Sequence, residues 1–106
     1  MKHFTAQQLA DRLNNNPDNT LLLDVREPWE FDICHIEGST LIPLGSLTEK
    51  VENVKTDKEI VVICHHGIRS LRAAIFLEHY GCDNVTNLTG GIDAWAKDID
   101  QNMSQY

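Results

Sequence analysis

Seven residues near the middle of the chain, Cys64-His65-His66-Gly67-Ile68-Arg69-Ser70, set a thiol, two imidazoles, a glycine and a guanidinium directly after an aliphatic run, Ile60 to Ile63. Thiolate is the reactive form of cysteine, and it is favoured where backbone amides and cations face the sulfur. If the aliphatic run is a buried strand and a helix starts a few residues beyond Cys64, the intervening amides can point inward at the sulfur. The helix N-terminus adds partial positive charge, and Arg69 adds a full one. Gly67 gives the loop backbone angles that other residues avoid. The chemistry expected of such a loop is nucleophilic attack by Cys64. A buried structural thiol would account for Cys64 alone but for neither Gly67 nor Arg69.

Positioning that loop requires a strand before it and a helix after it. Ile60 to Ile63 is the clearest strand in the sequence, and Ser70 to Tyr80 the clearest helix, with Gly81 as its stop. Thr20 to Val25 carries consecutive aliphatic residues, the pattern of a strand covered on both faces in a parallel sheet. Val85 to Leu88 reads as a further strand, and Ser39 to Gly45 as a brief one broken by Pro43. Thr5 to Gln8 has the form of a capping box opening the first helix, which Asn14 to Asp18 ends. A short helix is expected around Trp29 to Asp32, a weak amphipathic one over Leu47 to Val54, and a terminal one over Gly90 to Ile99. Strands alternating with helices imply βαβ units and a parallel sheet with helices on both faces, whose sites gather at strand carboxyl ends. Trp29 and Trp95 are assigned to the core.

The 106 residues suit one domain, 1–100, followed by a polar tail, 101–106, that is expected to fray. Hydrophobic residues make up 42% and charged residues 24%, so the chain can bury a core. A net charge of −7 argues against nucleic acid as a partner, because binding a phosphate backbone rests on basic side chains. Between Glu59 and Glu78 the sequence holds no acid, while His65, His66, Arg69 and Arg72 cluster there, which implies a local anion site. Cys34, Cys64 and Cys82 form no CxxC pair, so neither a disulfide framework nor a four-cysteine zinc site is expected. No membrane segment or signal peptide is read, and a reducing compartment, the cytoplasm, is the expected location.

Four stretches in order, Leu21 to Phe31, His35 to Ser39, Cys64 to Ser70 and Gly90 to Trp95, carry a resemblance to the single-domain rhodaneses, or thiosulfate sulfurtransferases. The resemblance implies a three-layer α/β/α fold around a five-stranded parallel sheet in the order 3-2-4-5-1. It also implies that Asp24 and Arg26 support the loop beside Cys64, that Gly90 and Gly91 enter from the other side, and that Trp95 packs behind. A strand-end pair such as Asp24 and Arg26 has a purely structural reading as well. The turn at His35 departs from the family pattern, with Glu37 where a proline is usual and Cys34 where a glycine is common.

By that resemblance Cys64 takes a sulfane sulfur from thiosulfate or a persulfide donor and passes it to cyanide or a thiol, a protein thiol among the candidates. No metal and no cofactor are implied. Loop amides from His65 to Ser70 would hold the terminal sulfur, and Arg69, with Arg72 or the histidines, the anionic part of the donor. His65 and His66 read equally well as exposed loop residues, and Cys34 as a packing residue or a resolving thiol. Two other functions stand beside this one. A non-catalytic sulfur-relay or protein-docking module would use the loop as a surface. A cysteine-based phosphatase would need a loop one residue longer than the four residues between Cys64 and Arg69.

Overall fold

The chain runs β1 (Lys2–Phe4), α1 (Ala6–Asn15), β2 (Thr20–Asp24), α2 (Pro28–Ile33), β3 (Thr40–Leu41), α3 (Leu47–Lys50), β4 (Glu59–Ile63), α4 (Ile68–His79), β5 (Val85–Leu88) and α5 (Gly91–Asp98), with short 3₁₀ turns before β2 and on either side of α3. These elements come from a computed structural model that describes residues 1–54 and 56–106. The five strands form one sheet in the order β1-β5-β4-β2-β3, which is 3-2-4-5-1 read from the other edge. Every pairing is parallel.

The two aliphatic runs lie at the centre. β2 and β4 pair from Thr20 opposite Glu59 to Asp24 opposite Ile63, so both strands end at the same level. All five residues of β4 are buried, as continuous hydrophobicity requires of a strand covered on both faces. Alternate residues feed two cores. Leu23, Val25, Ile60, Val62 and Cys64 pack with Leu47, Val51, Ala73, Ala74 and Leu77, under α3 and α4. Leu22, Val61, Ile63 and Leu88 pack with Ala6, Leu9, Ile92 and Trp95, under α1 and α5.

Local chemistry explains the element ends. The Thr5 hydroxyl accepts from the Gln8 amide at 3.2 Å and the Gln8 side chain accepts from the Thr5 amide at 2.8 Å, so α1 begins with the expected capping box. Edge strand β1 is implied by the family order of five strands, but the residue pattern alone gives it no place. Three residues carry no alternation, and the strand exists because Lys2, His3 and Phe4 pair with Thr86, Asn87 and Leu88. Two further expectations are corrected. Trp29 is 60% exposed, since α2 turns its other side inward, whereas Trp95 is buried as expected. The tail does not end in a frayed residue, because the Tyr106 ring returns to pack edge-on against Trp29, with centroids 5.8 Å apart. No helix among the described residues is long and apolar enough to cross a membrane.

Candidate active site

Cys64 follows the last residue of β4 and is 1% exposed. Four residues on, α4 begins at Ile68, with Gly67 as its N-cap at φ +104°. The bend aims the Gly67 amide back at the strand end, where it donates to Cys64 Sγ at 3.0 Å. A side chain at Gly67 would press on the Gly90 amide and the Leu88 carbonyl. The thiol donates to Ser70 Oγ at 3.3 Å, and Ser70 in turn donates to Asn87 Oδ1 at 2.5 Å. Asn87 closes the circuit by donating from Nδ2 to the Gly67 carbonyl at 3.4 Å. Asn87 escaped the sequence reading, although one amide in the otherwise buried Val85-Thr86-Asn87-Leu88 strand is a signal, since buried polar groups require partners.

The other wall of the loop is the start of α5. The amides of Ile92 and Asp93 donate to the carbonyls of Cys64 and His65 at 2.8 and 3.0 Å. Gly91 makes that approach possible, because a Cβ there would collide with both carbonyls. Gly90 caps the same helix one residue earlier. Trp95 sits in the core on the face of the sheet opposite to Cys64.

Beyond β2, Asp24 and Arg26 form a wholly buried pair. Arg26 Nε and Nη2 donate to Asp24 Oδ1 and Oδ2 at 2.9 and 2.8 Å, and Nη2 also reaches the Cys34 carbonyl at 2.6 Å. Burial disfavours the charge on Arg26, but Asp24 and the Tyr106 hydroxyl outweigh it and hold the guanidinium above its ordinary pKa. Arg26 Nη1 donates to Tyr106 Oη at 2.9 Å, and that hydroxyl donates to Glu30 Oε2 at 2.7 Å. Glu30 then grips the Cys64 loop, accepting from Arg69 Nη1 and Nη2 at 2.6 and 2.7 Å. Arg69 pulls the Glu30 carboxyl down to about 2, and Glu30 raises Arg69 in return. Burial leads in pushing the Tyr106 phenol up to about 12.

The acid-free stretch of sequence is therefore not acid-free in space, since Glu30 arrives from α2 and Asp93 from α5. The Tyr106, His65 and His66 rings form a stack with successive centroids 3.9 Å apart. Burial, with the neighbouring His66 charge, lowers the His65 pKa. His66 and Ile68 are exposed at the rim, and Arg72 is exposed on α4 one turn beyond Arg69. His35 is exposed too, its Nδ1 2.8 Å from the Phe31 carbonyl and its ring stacked on the Phe31 ring. The phenylalanine, not the loop, engages it. Cys34 is buried behind Arg26 and carries no disulfide.

A strand-end cysteine cradled by a short loop, at one end of a parallel sheet in this order, can be compared with known families. A rhodanese-like domain profile matches residues 5–98. The chain belongs to the rhodanese-like family. A sulfurtransferase of Allochromatium vinosum is 33% identical over 97 residues, covering 92% of this rhodanese chain and 90% of that protein. A probable adenylyltransferase/sulfurtransferase, MoeZ, of Mycobacterium tuberculosis is 36% identical over 105 residues, 97% of this chain but 26% of its own length. The rhodanese chain thus spans less than two-thirds of some curated relatives. The crystal structure of a rhodanese-related protein from Thermoplasma volcanium superposes with a TM-score of 0.84 at 34% identity, covering 93% of this chain and 94% of that one.

Proposed function

We propose that the chain is a sulfurtransferase that carries a sulfane sulfur on Cys64 as a persulfide, and that its preferred donor is a persulfide rather than thiosulfate. The observation that carries the reading is the Gly67 amide 3.0 Å from Sγ at the closed end of the loop, in a chain of this family. In the first half-reaction the Cys64 thiolate attacks the terminal sulfur of a donor R–S–SH. A new sulfur–sulfur bond forms, the donor bond breaks, and R–S⁻ leaves with the electron pair. In the second, cyanide or a thiolate attacks the terminal sulfur and releases the Cys64 thiolate. No net oxidant is needed.

The chain's own groups serve each half-reaction. The Gly67 amide donates to the anionic sulfur, and the Ser70 hydroxyl, 3.3 Å away, can turn from Asn87 toward it once the thiol proton has gone. Because Cys64 is 1% exposed, the donor reaches it when the rim side chains part. The donor preference follows from charge. Arg69 is already neutralised by Glu30, so the loop offers the thiosulfate dianion less than its sequence promises. The relative named both adenylyltransferase and sulfurtransferase supports sulfur transfer in general, and a thiol, a protein thiol among the candidates, is the acceptor we propose beside cyanide. The cytoplasm is the proposed location.

Incubating the protein with glutathione persulfide, then with cyanide, tests the reading by mass spectrometry. The expected result is a gain of one sulfur atom on the peptide containing Cys64, discharged by cyanide and absent from Cys64→Ser. No adduct, or one that Cys64→Ser retains, rejects catalysis through this residue and leaves the loop a docking surface.

A further inference from the structure

The two imidazoles that follow Cys64 and a carboxylate from α5 form a second constellation. The ligand atoms of His65, His66 and Asp93 all lie within 4.8 Å of one another. They come from two elements that are tied together. The Asp93 amide donates to the His65 carbonyl, the Ile92 amide to the Cys64 carbonyl, and the absence of a side chain at Gly91 lets the backbones touch. Sequence reading did not join them, because Asp93 lies a helix and a strand away from the loop.

We propose that His65, His66 and Asp93 form a binding site for a divalent first-row transition ion, with Zn²⁺ the best match. Two imidazole nitrogens and a carboxylate oxygen suit such ions, whereas Mg²⁺ and Ca²⁺ favour oxygen throughout. Three protein ligands leave a fourth position for water or a small ligand. Bonds of about 2.0–2.1 Å place tetrahedral ligand atoms roughly 3.3 Å apart, so the side chains have to close by up to about 1.5 Å. His66 is exposed and Asp93 half-buried, so these two side chains can move toward the half-buried His65. The present partner of Asp93 is the exposed Lys97, at 3.0 Å, a surface pair that a divalent ion displaces. Stacking against Tyr106 restrains the His65 ring from the far side. Binding at this site does not depend on sulfur transfer, although two of its ligands adjoin the nucleophile.

Isothermal titration of zinc chloride into the metal-free full chain carrying Cys64→Ser, which removes the thiol beside the site, is the test. Saturable uptake of one ion per chain is expected, weakened at least about tenfold by His66→Ala and by Asp93→Asn, with the far-ultraviolet circular dichroism unchanged. Lys97→Ala, which removes the competitor for Asp93, is expected to tighten binding. No saturable uptake, uptake that His66→Ala and Asp93→Asn retain in full, or weaker uptake in Lys97→Ala overturns the proposal.

Discussion

Arg69 and Glu30, 39 residues apart in sequence, meet as a bidentate ion pair with contacts of 2.6 and 2.7 Å. The loop cation is thereby tied to α2, and its field is largely spent before a donor arrives. Glu30 is nearly buried, whereas the Arg69 side chain is 35% exposed. Removing the acid therefore leaves a cation that water can still solvate.

Glu30→Gln is accordingly expected to raise kcat/KM for thiosulfate several-fold while leaving a neutral persulfide donor nearly unaffected. Stability should fall by about 1–3 kcal/mol, the usual cost of losing hydrogen bonds between charged groups. Steady-state kinetics with both donors, beside urea denaturation, checks the split. Equal loss with both donors shows that Arg69 does not face the donor.

The same pair sets an acid limit. Because Arg69 first, with the Glu27 amide and Tyr106, depresses the Glu30 carboxyl from 4.5 to about 2, its contribution is fully present above about 4.5 and is lost as pH falls toward 2. Denaturation midpoints for the native chain should drop across that window more steeply than those of Glu30→Gln. Parallel curves refute the coupling.

At the alkaline end Tyr106 acts with the opposite sign. Burial first, and the Glu30 carboxylate, raise its phenol from 10.0 to about 12, so the stability it lends is complete below about 10 and fades as pH rises to 12. Ultraviolet titration should show a phenol ionising near 12, and Tyr106→Phe should remove that step while leaving the separate rise that Glu52 imposes on the Tyr80 phenol. Survival of the late step in Tyr106→Phe assigns it elsewhere.

Ser70 touches Cys64, the proposed nucleophile, without itself carrying the sulfur. Ser70→Ala should slow single-turnover persulfide formation about tenfold, the equivalent of one hydrogen bond to an anion. Asn87→Ala should instead act mainly on stability, since it leaves Asn87's partners buried. Rapid-quench mass spectrometry and thermal melts distinguish the two effects, and an unchanged rate in Ser70→Ala removes the hydroxyl from the mechanism.

Gly91→Ala tests the wall of the site. The added Cβ meets the carbonyls of Cys64 and His65 at a residue with φ +60°, so destabilisation beyond about 1–3 kcal/mol is expected. Urea denaturation measures it. A loss below 1 kcal/mol shows that the α5 contact with the loop yields easily.

Much of this architecture was legible before any coordinates. The aliphatic runs at Leu21 to Leu23 and Ile60 to Ile63, the Thr5 and Gln8 capping box, and the order of strands and helices each depend on residues a few positions apart. The placement of Cys64 at a strand end is local in the same sense, although the helix expected from Ser70 begins two residues earlier, at Ile68, with Gly67 as its cap. Edge strand β1 was illegible in the residue pattern because three residues become a strand only by having β5 beside them.

The sequence by itself determined the loop: that a strand delivers Cys64 to a turn and a helix. Only the tertiary structure decided what charges and hydrogen bonds surround it. Asn87 reaches Ser70 across 17 positions, Glu30 reaches Arg69 across 39, and Tyr106 reaches Glu30 across 76. The reason is physical. Backbone angles and hydrophobic periodicity act over one turn or one strand, whereas a charge is neutralised by whichever partner the crossovers bring within about 3 Å, wherever it stands in the chain.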